Sequence, residues 1–254
     1  MSLIKTDEEI ATLREGGGRL AKILATLVEA TKPGITGREL DKLARELIAK
    51  GDDQPSFLNY APEGVEKPFP AALCISINDE VVHGIPDDRI LKISDIVGLD
   101  LGLSHQGLFT DMAVSVPVGE VSKEVHKLLT ATEEGLRAGI EKIRPGNTLG
   151  DVGFAIEEVA KSYGLGVVRD LGGHGVGHLV HEEPHIPNFG KRGKGVKLKE
   201  GMVLAIEPMF TLGTDEVNFL PDGYMVKTAD GSLAAHFEHT VVVTANGAEI
   251  LTKI

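Results

Sequence analysis

Leu91-Lys92, followed at a fixed interval by Leu99-Asp100, is matched later in the chain by Leu198-Lys199 and, at the same interval, Ile206-Glu207. This register makes Asp100 and Glu207 equivalent positions. Downstream, Asp111-Met112-Ala113-Val114-Ser115-Val116 pairs with Glu238-His239-Thr240-Val241-Val242-Val243, an acid leading an apolar strand in both cases. Upstream, Lys32-Pro33-Gly34-Ile35-Thr36 is echoed by Arg144-Pro145-Gly146-Asn147-Thr148, each ahead of a helical pattern. Val81-Val82-His83-Gly84-Ile85-Pro86 likewise has its counterpart in Leu179-Val180-His181-Glu182-Glu183-Pro184. A period of about half the chain is far longer than a solenoid unit. It reads as one duplicated domain over residues 1–254, with halves of about 1–118 and 119–254 folded about a pseudo-two-fold axis. Residues equivalent in the two halves then meet at that axis.

Working outward, Thr6 with Glu9 and Thr36 with Glu39 form capping boxes that open two helices, the first ending near Lys32-Pro33-Gly34 and weakened by Gly16 to Gly18, the second ending at Gly51. Residues 52–70 are rich in Pro, Asp and Glu with Phe57, Tyr60 and Phe69 among them, and are expected to be irregular. Residues 72–77, 96–101 and 108–118 read as strands. Helices over 124–143 and 149–163 follow, then strands over 166–170, 203–206, 209–212, 224–228 and 237–243. The order helix, helix, strands, taken twice, predicts an α+β fold in which two pairs of helices cover a curved, mainly antiparallel sheet.

Asp100 and Asp111 lie on strands joined by Ser104-His105-Gln106-Gly107, and a hairpin centred on His105 and Gln106 would set the two acids directly opposite one another. Carboxylates so close repel unless a proton or cation lies between them. A lone pair of aspartates on a hairpin is usually surface, but the matching Glu207 and Glu238 favour a ligand set. Glu207 is embedded in Met202-Val203-Leu204-Ala205-Ile206 and Pro208-Met209-Phe210, where an unpaired charge is costly. Too few Lys or Arg neighbour these acids to neutralise them. Four acids with one or two histidines suit two divalent ions of intermediate hardness, Mn²⁺, Fe²⁺, Co²⁺ or Zn²⁺. In Gly172-Gly173-His174-Gly175-Val176-Gly177-His178-Leu179-Val180-His181-Glu182-Glu183-Pro184-His185, His174 sits among glycines that permit close backbone approach and is taken as the ligand. His181 mirrors His83, so these two are read as flanking the metals and contacting substrate. Any single histidine is by default packed or exposed, and His178, His185, His105 and His126 are read so. His181 to His185 also spells the His-Glu-x-x-His zinc pattern, which works only on a helix; Pro184 inside it argues against one.

Composition bounds the rest. The 42% apolar content and near-zero mean hydropathy are those of a globular chain with a substantial core. A net charge of −12 opposes a general grip on nucleic acid. Residues 191–199 are basic but glycine-interrupted, and read as a solvated loop before a ribosome or RNA contact. The single cysteine, Cys74, excludes an internal disulfide and fits a reducing compartment. The first residues, Met1-Ser2-Leu3-Ile4-Lys5-Thr6-Asp7-Glu8, lack the apolar core of a signal peptide, and no stretch is long enough to span a membrane. A cytoplasmic location is expected.

These motifs resemble those of methionine aminopeptidases of the short bacterial-like type, which share the pita-bread fold with Xaa-Pro aminopeptidases and creatinase. The resemblance covers nearly the whole chain and rests on Cys74-Ile75-Ser76-Ile77-Asn78, Val82-His83-Gly84-Ile85-Pro86, the Asp100 and Asp111 spacing, Gly173-His174-Gly175-Val176-Gly177, His181-Glu182-Glu183-Pro184, Glu207-Pro208 and Glu238-His239-Thr240. It implies metal ligation by Asp100, Asp111, His174, Glu207 and Glu238, and removal of N-terminal methionine from nascent chains by a water held between two divalent ions. It further implies that Glu207 handles the proton, His181 stabilises the oxyanion and His83 holds the scissile amide or helps the leaving amine. Phe69, Cys74, Val180 and Tyr224 fall where the family places its methionine pocket. His236 stands near the ligands where such enzymes commonly carry Gln and prolidase-type relatives often carry Arg, and Tyr224 stands where many bacterial relatives have Trp. Residues 52–70 are also longer than in the shortest relatives, so selectivity is where this chain is expected to differ.

Two other readings compete: a proline-directed aminopeptidase or dipeptidase of the same fold, and a non-catalytic binding protein on the scaffold. The first is opposed by the want of a large domain ahead of the first helix. The second is opposed by the complete ligand set, since a buried acidic cluster without metal would be destabilising. A monomer is expected. Action on nascent chains is compatible with transient ribosome contact.

Overall fold

The computed structural model describes residues 3–61, 65 and 67–253; of the irregular segment read from sequence, 62–64 and 66 lie outside the described residues. The first half runs α1 (Asp7–Ala30), α2 (Gly37–Lys50), β1 (Gln54–Pro55), β2 (Leu73–Ile77), β3 (Glu80–Val82), β4 (Ile96–His105) and β5 (Leu108–Pro117). The second runs α3 (Lys123–Ile140), α4 (Leu149–Tyr163), β6 (Gly166–Val167), β7 (Gly172–Gly175), β8 (Glu182–Pro187), β9 (Val203–Ile206), β10 (Met209–Thr211), β11 (Val217–Phe219), β12 (Val226–Thr228), β13 (Ala234–His236), β14 (His239–Thr244) and β15 (Gly247–Ile250).

The helices begin where their caps predict. Thr6 N–H donates to Glu9 Oε2 at 2.7 Å and Glu9 N–H to Thr6 Oγ1 at 3.2 Å, and Thr36 with Glu39 repeats the exchange. Each cap satisfies backbone donors that a helix start leaves open. Gly16 and Gly17 do not interrupt α1. They let it approach its neighbours: a Cβ on Gly17 would lie 2.5 Å from the Leu251 carbonyl oxygen, and one on Gly16 2.9 Å from His105 Cβ.

Among the described residues every strand pairing is antiparallel, in four ladders rather than one continuous sheet. The two that carry the site are β1-β4-β2, with β5 on β4, and β15-β14-β9-β7-β8. Helices α1 and α2 cover the first through Leu20, Leu24, Leu40 and Ile48 against Ile75, Leu99 and Leu101. Helices α3 and α4 cover the second through Leu128, Val152 and Ile156 against Leu204, Ile206 and Val241. Burying such a side chain contributes about 1.5–3 kcal/mol, so each helix pair is fixed by its apolar stripe. The two ladders are joined by hydrogen bonds between β5 and the chain at the start of β14. Glu238 N–H donates to the Ala113 carbonyl at 2.8 Å, and Thr240 Oγ1 both accepts from Asp111 N–H and donates to the Asp111 carbonyl.

The structure revises several sequence readings. The hairpin loop is Gln106-Gly107, both with positive φ (50° and 82°), with His105 opposite Leu108. Positive φ at both loop residues suits a two-residue hairpin turn, which Gly107 permits. Asp100 therefore faces Ala113, and Asp111 faces Gly102. The two acids are diagonal neighbours on one face rather than directly opposite. Of the stretch 237–243, only His239 onward is strand, as β14, with Phe237 and Glu238 separating it from β13, while β6 and β12 are shorter than read. Strands β1, β3, β7, β8, β11, β13 and β15 have no counterpart in the sequence reading.

Candidate metal centre

Five side chains reach one place from five strand segments. Asp100 points from β4 and Asp111 from β5; His174 sits on β7, Glu207 directly follows β9, and Glu238 directly precedes β14. Asp100, Asp111, His174 and Glu238 are at most 9% exposed. The buried run Val203–Ile206 delivers Glu207 to the interior, and Pro208 then turns the chain out of the ladder. β7 is the least obvious of these elements, since three of its four residues are glycine. Its neighbours explain why. A Cβ on Gly173 would lie 2.2 Å from the Ala205 carbonyl oxygen, and one on Gly175 2.2 Å from that of Glu183. His174 is thereby held against Ala205 on β9. Gly173→Ala is expected to lower stability by about 1–3 kcal/mol or more and to weaken metal binding; urea unfolding with and without Mn²⁺ measures both, and a parental midpoint would refute this account of β7.

The donors fall into three overlapping groups, in each of which the ligand atoms lie within 4.8 Å of one another: Asp100, Asp111 and Glu238; His174, Glu207 and Glu238; Asp111, His174 and His181. All five sequence-predicted ligands are brought together. His174 Nδ1 lies 2.9 Å from the Gly175 carbonyl, to which it must donate. That fixes the tautomer and leaves the Nε2 lone pair, 3.5 Å from Glu207 Oε1, for a ligand. Burial raises the Asp100 carboxyl to about 7, with His236 opposing and Glu207 adding to the rise. Burial likewise raises Glu207 to about 7, against the pull of His174. Asp111 and Glu238 are pushed well above the carboxylate range by burial and by their acidic neighbours. Asp100 Oδ1 and Glu238 Oε1 are buried without a hydrogen-bond partner among the described residues. Unsatisfied oxygens, mutual repulsion and one oriented imidazole are the features a divalent cation would relieve.

His236 is 3% exposed, and its Nε2 stands 3.4 Å from Glu207 Oε2. Its backbone is clamped to β5 by Ser115, whose Oγ accepts from His236 N–H and donates to the His236 carbonyl, each at 2.9 Å.

A cavity of about 380 Å³ opens beside the carboxylates. Phe69, Cys74 and Tyr224 line it, as expected, with His83 and His181 on its wall. Val180 packs behind that wall in the same buried cluster rather than lining it. His83 holds a left-handed backbone (φ 60°) followed by Gly84, where a Cβ would meet the Ile75 carbonyl oxygen at 2.0 Å. Burial, then the charge of His236, lower His83 to about 4. His181 opens on the cavity and is also held low, by desolvation and by His174 and His83. Sequence reasoning missed Phe57, Tyr60, Leu171 and Phe219 as lining residues. Phe57 and Tyr60 stand with Phe69 in a loop of the kind that often walls a pocket, with plain packing the default reading for each. The zinc pattern at His181 to His185 lies at the start of β8, with Pro184 inside the strand, so no helix presents its histidines together. His105 pairs with Asp53 at 2.7 Å and His178 with Glu9 at 2.6 Å, and His126 is exposed. The basic loop 191–199 is exposed except at Leu198.

Residues 11–245 match the model of Metallopeptidase family M24, and the chain belongs to that family. Within the family its likeness is to the methionine aminopeptidases. It is 46% identical to that of Clostridium perfringens over 254 residues, all of both chains, and 45% identical to that of Aquifex aeolicus over 98% of each. The crystal structure of methionine aminopeptidase from Thermotoga maritima superposes with a TM-score of 0.94 at 43% identity, covering 99% of each chain. Prolidase from Pyrococcus furiosus shares the pita-bread fold at a TM-score of 0.75 and 26% identity, but only 66% of that chain is covered. No helix among the described residues is long and apolar enough to cross a membrane.

Proposed function

We propose that this chain removes N-terminal methionine from nascent polypeptides by metal-dependent hydrolysis of the first peptide bond. The observation that carries the reading is a five-donor cluster beside an apolar cavity, in a chain alike over its whole length to methionine aminopeptidases. Asp100, Asp111, His174, Glu207 and Glu238 would hold two divalent ions, Mn²⁺, Fe²⁺, Co²⁺ or Zn²⁺, which supply an activated water and polarise the scissile carbonyl when bound. Glu207 takes and returns the proton of the attacking water. His181 donates a hydrogen bond to the developing oxyanion, and His83 holds the scissile amide and assists the leaving amine. Phe69, Cys74 and Tyr224, backed by Val180, take the unbranched methionine side chain, which fills irregular apolar space well. His236 steadies the Glu207 oxygen that faces away from His174. The halves 1–118 and 119–254 act as one catalytic unit, and because one chain supplies every donor, a monomer suffices. A cytoplasmic location fits action on nascent chains.

Release of methionine from Met-Ala-Ser, but not of alanine from Ala-Pro-Ser, is expected from metal-stripped protein reloaded with each ion in turn. Cleavage of the second peptide alone would move the chain to the proline-directed branch. Silence on both with metal bound would leave a scaffold without this chemistry.

A further inference from the structure

His174 and His181 stack edge to face with ring centroids 4.4 Å apart, yet their neighbours ask opposite things of them. Nδ1 of His174 faces a backbone carbonyl, which can only accept. Nδ1 of His181 faces the Tyr60 hydroxyl at 2.8 Å. A hydroxyl can donate or accept, so this bond can run in either direction.

The Tyr60 hydroxyl makes no other hydrogen bond among the described residues. If Nδ1 of His181 carried the proton, the phenol oxygen, a weaker acceptor than an imidazole lone pair, would receive the bond and the phenolic hydrogen would be left to solvent at this open contact. If the phenol donates, both groups are satisfied by the one contact. The proton of His181 then sits on Nε2. Tyr60 itself is held: Tyr224 Oη lies 3.1 Å from the Tyr60 carbonyl and 2.6 Å from that of Lys67, and its ring packs on Phe69 at 5.1 Å.

The outcome matters because a ring nitrogen of His181 lies within 4.8 Å of ligand atoms of Asp111 and His174. An Nε2 lone pair there would make His181 a further metal ligand; an Nε2–H makes it a donor to substrate oxygen. We infer that Tyr60 is a positioning residue whose hydroxyl donates to His181 Nδ1 and so keeps His181 as a hydrogen-bond donor toward the scissile carbonyl, while the Gly175 carbonyl sets His174 to the opposite tautomer for metal ligation. The inference rests on the oxyanion role given to His181 above.

The test uses Zn²⁺-loaded protein, which is diamagnetic, and long-range ¹H–¹⁵N spectra of the histidine rings. Parent protein is expected to show His181 protonated at Nε2 and His174 at Nδ1. In Tyr60→Phe, His181 is expected to show a mixture of tautomers, with kcat on Met-Ala-Ser down about 10- to 100-fold, as losses of orienting partners typically cost, while KM and Zn²⁺ affinity stay near parental. A purely structural role for Tyr60 would leave the His181 tautomer unchanged, and that result overturns the inference, as does Nδ1–H on His181 in the parent. His181→Ala separates the two layers. Full activity in that variant removes the oxyanion role, whatever tautomer Tyr60 imposes.

Discussion

Glu238→Gln is expected to abolish methionine release while leaving the chelator-treated protein at least as stable as the parent at neutral pH and more stable at alkaline pH. Glu238 is 2% exposed, one of its oxygens has no hydrogen-bond partner among the described residues, and burial beside Asp111, Glu207 and Asp100 raises its carboxyl well above the usual range. Without metal, burial and the acidic neighbours favour the protonated carboxyl, which a neutral amide imitates. As pH rises the parent is forced to ionise in an acidic, desolvated site, and the variant is not. The same substitution removes a donor shared by two of the three ligand groups. Loss of an outer partner of a metal ligand already costs about 10- to 100-fold, so loss of the ligand should reduce activity and Mn²⁺ affinity by at least about a hundredfold. Thermal melts in chelator and calorimetric Mn²⁺ titration check the two signs together. Parental metal affinity, or a metal-free variant that melts lower at alkaline pH, would show that Glu238 is a structural acid and not a ligand.

Metal-induced stabilisation is expected to grow as pH rises toward neutrality. Asp100 and Glu207 have folded-state values raised to about 7 from ordinary values of 3.8 and 4.5. Through that interval the metal-free folded state binds more protons than the unfolded chain, so its stability falls as pH increases. The loss is complete above the folded values and absent below the unfolded ones. A cation reverses the sign, because it favours the ionised carboxylates that repel one another without it. The gap in Tm between Mn²⁺-loaded and chelator-treated protein should therefore be small near about pH 5 and large near about pH 8. A constant gap across that range would mean that the ion binds elsewhere.

Much of this site could be read from sequence because the chemistry is local to each motif. An acid inside an apolar strand, as at Glu207, or a histidine among glycines, as at His174, is costly unless it has a use, and the doubling of the pattern located four of the five donors. The capping boxes at Thr6 and Thr36 set two helix starts for a similarly local reason. What failed was non-local or conformational. The Asp100–Asp111 register turned on which two residues take positive φ, and the favoured Gln106-Gly107 turn shifts the pairing by two positions. Strand β7 was illegible because its glycines serve neighbouring backbones, Ala205 and Glu183, that no local propensity reveals. Tyr60 was missed as a partner of His181 because 121 residues separate them.

The clasp between the two ladders has a consequence for the order of events during synthesis. Thr240 grips both backbone groups of Asp111 across 129 residues, and Glu238 reaches the Ala113 carbonyl beside it. Contacts of such long sequence separation close late, since the intervening chain must be ordered first. The first ladder can form while the ribosome is still at work, but the cluster cannot be completed until Glu238 has emerged. A partly made copy therefore carries Asp100 and Asp111 as an unfinished cradle, and the full donor set exists only once Glu238 has joined it.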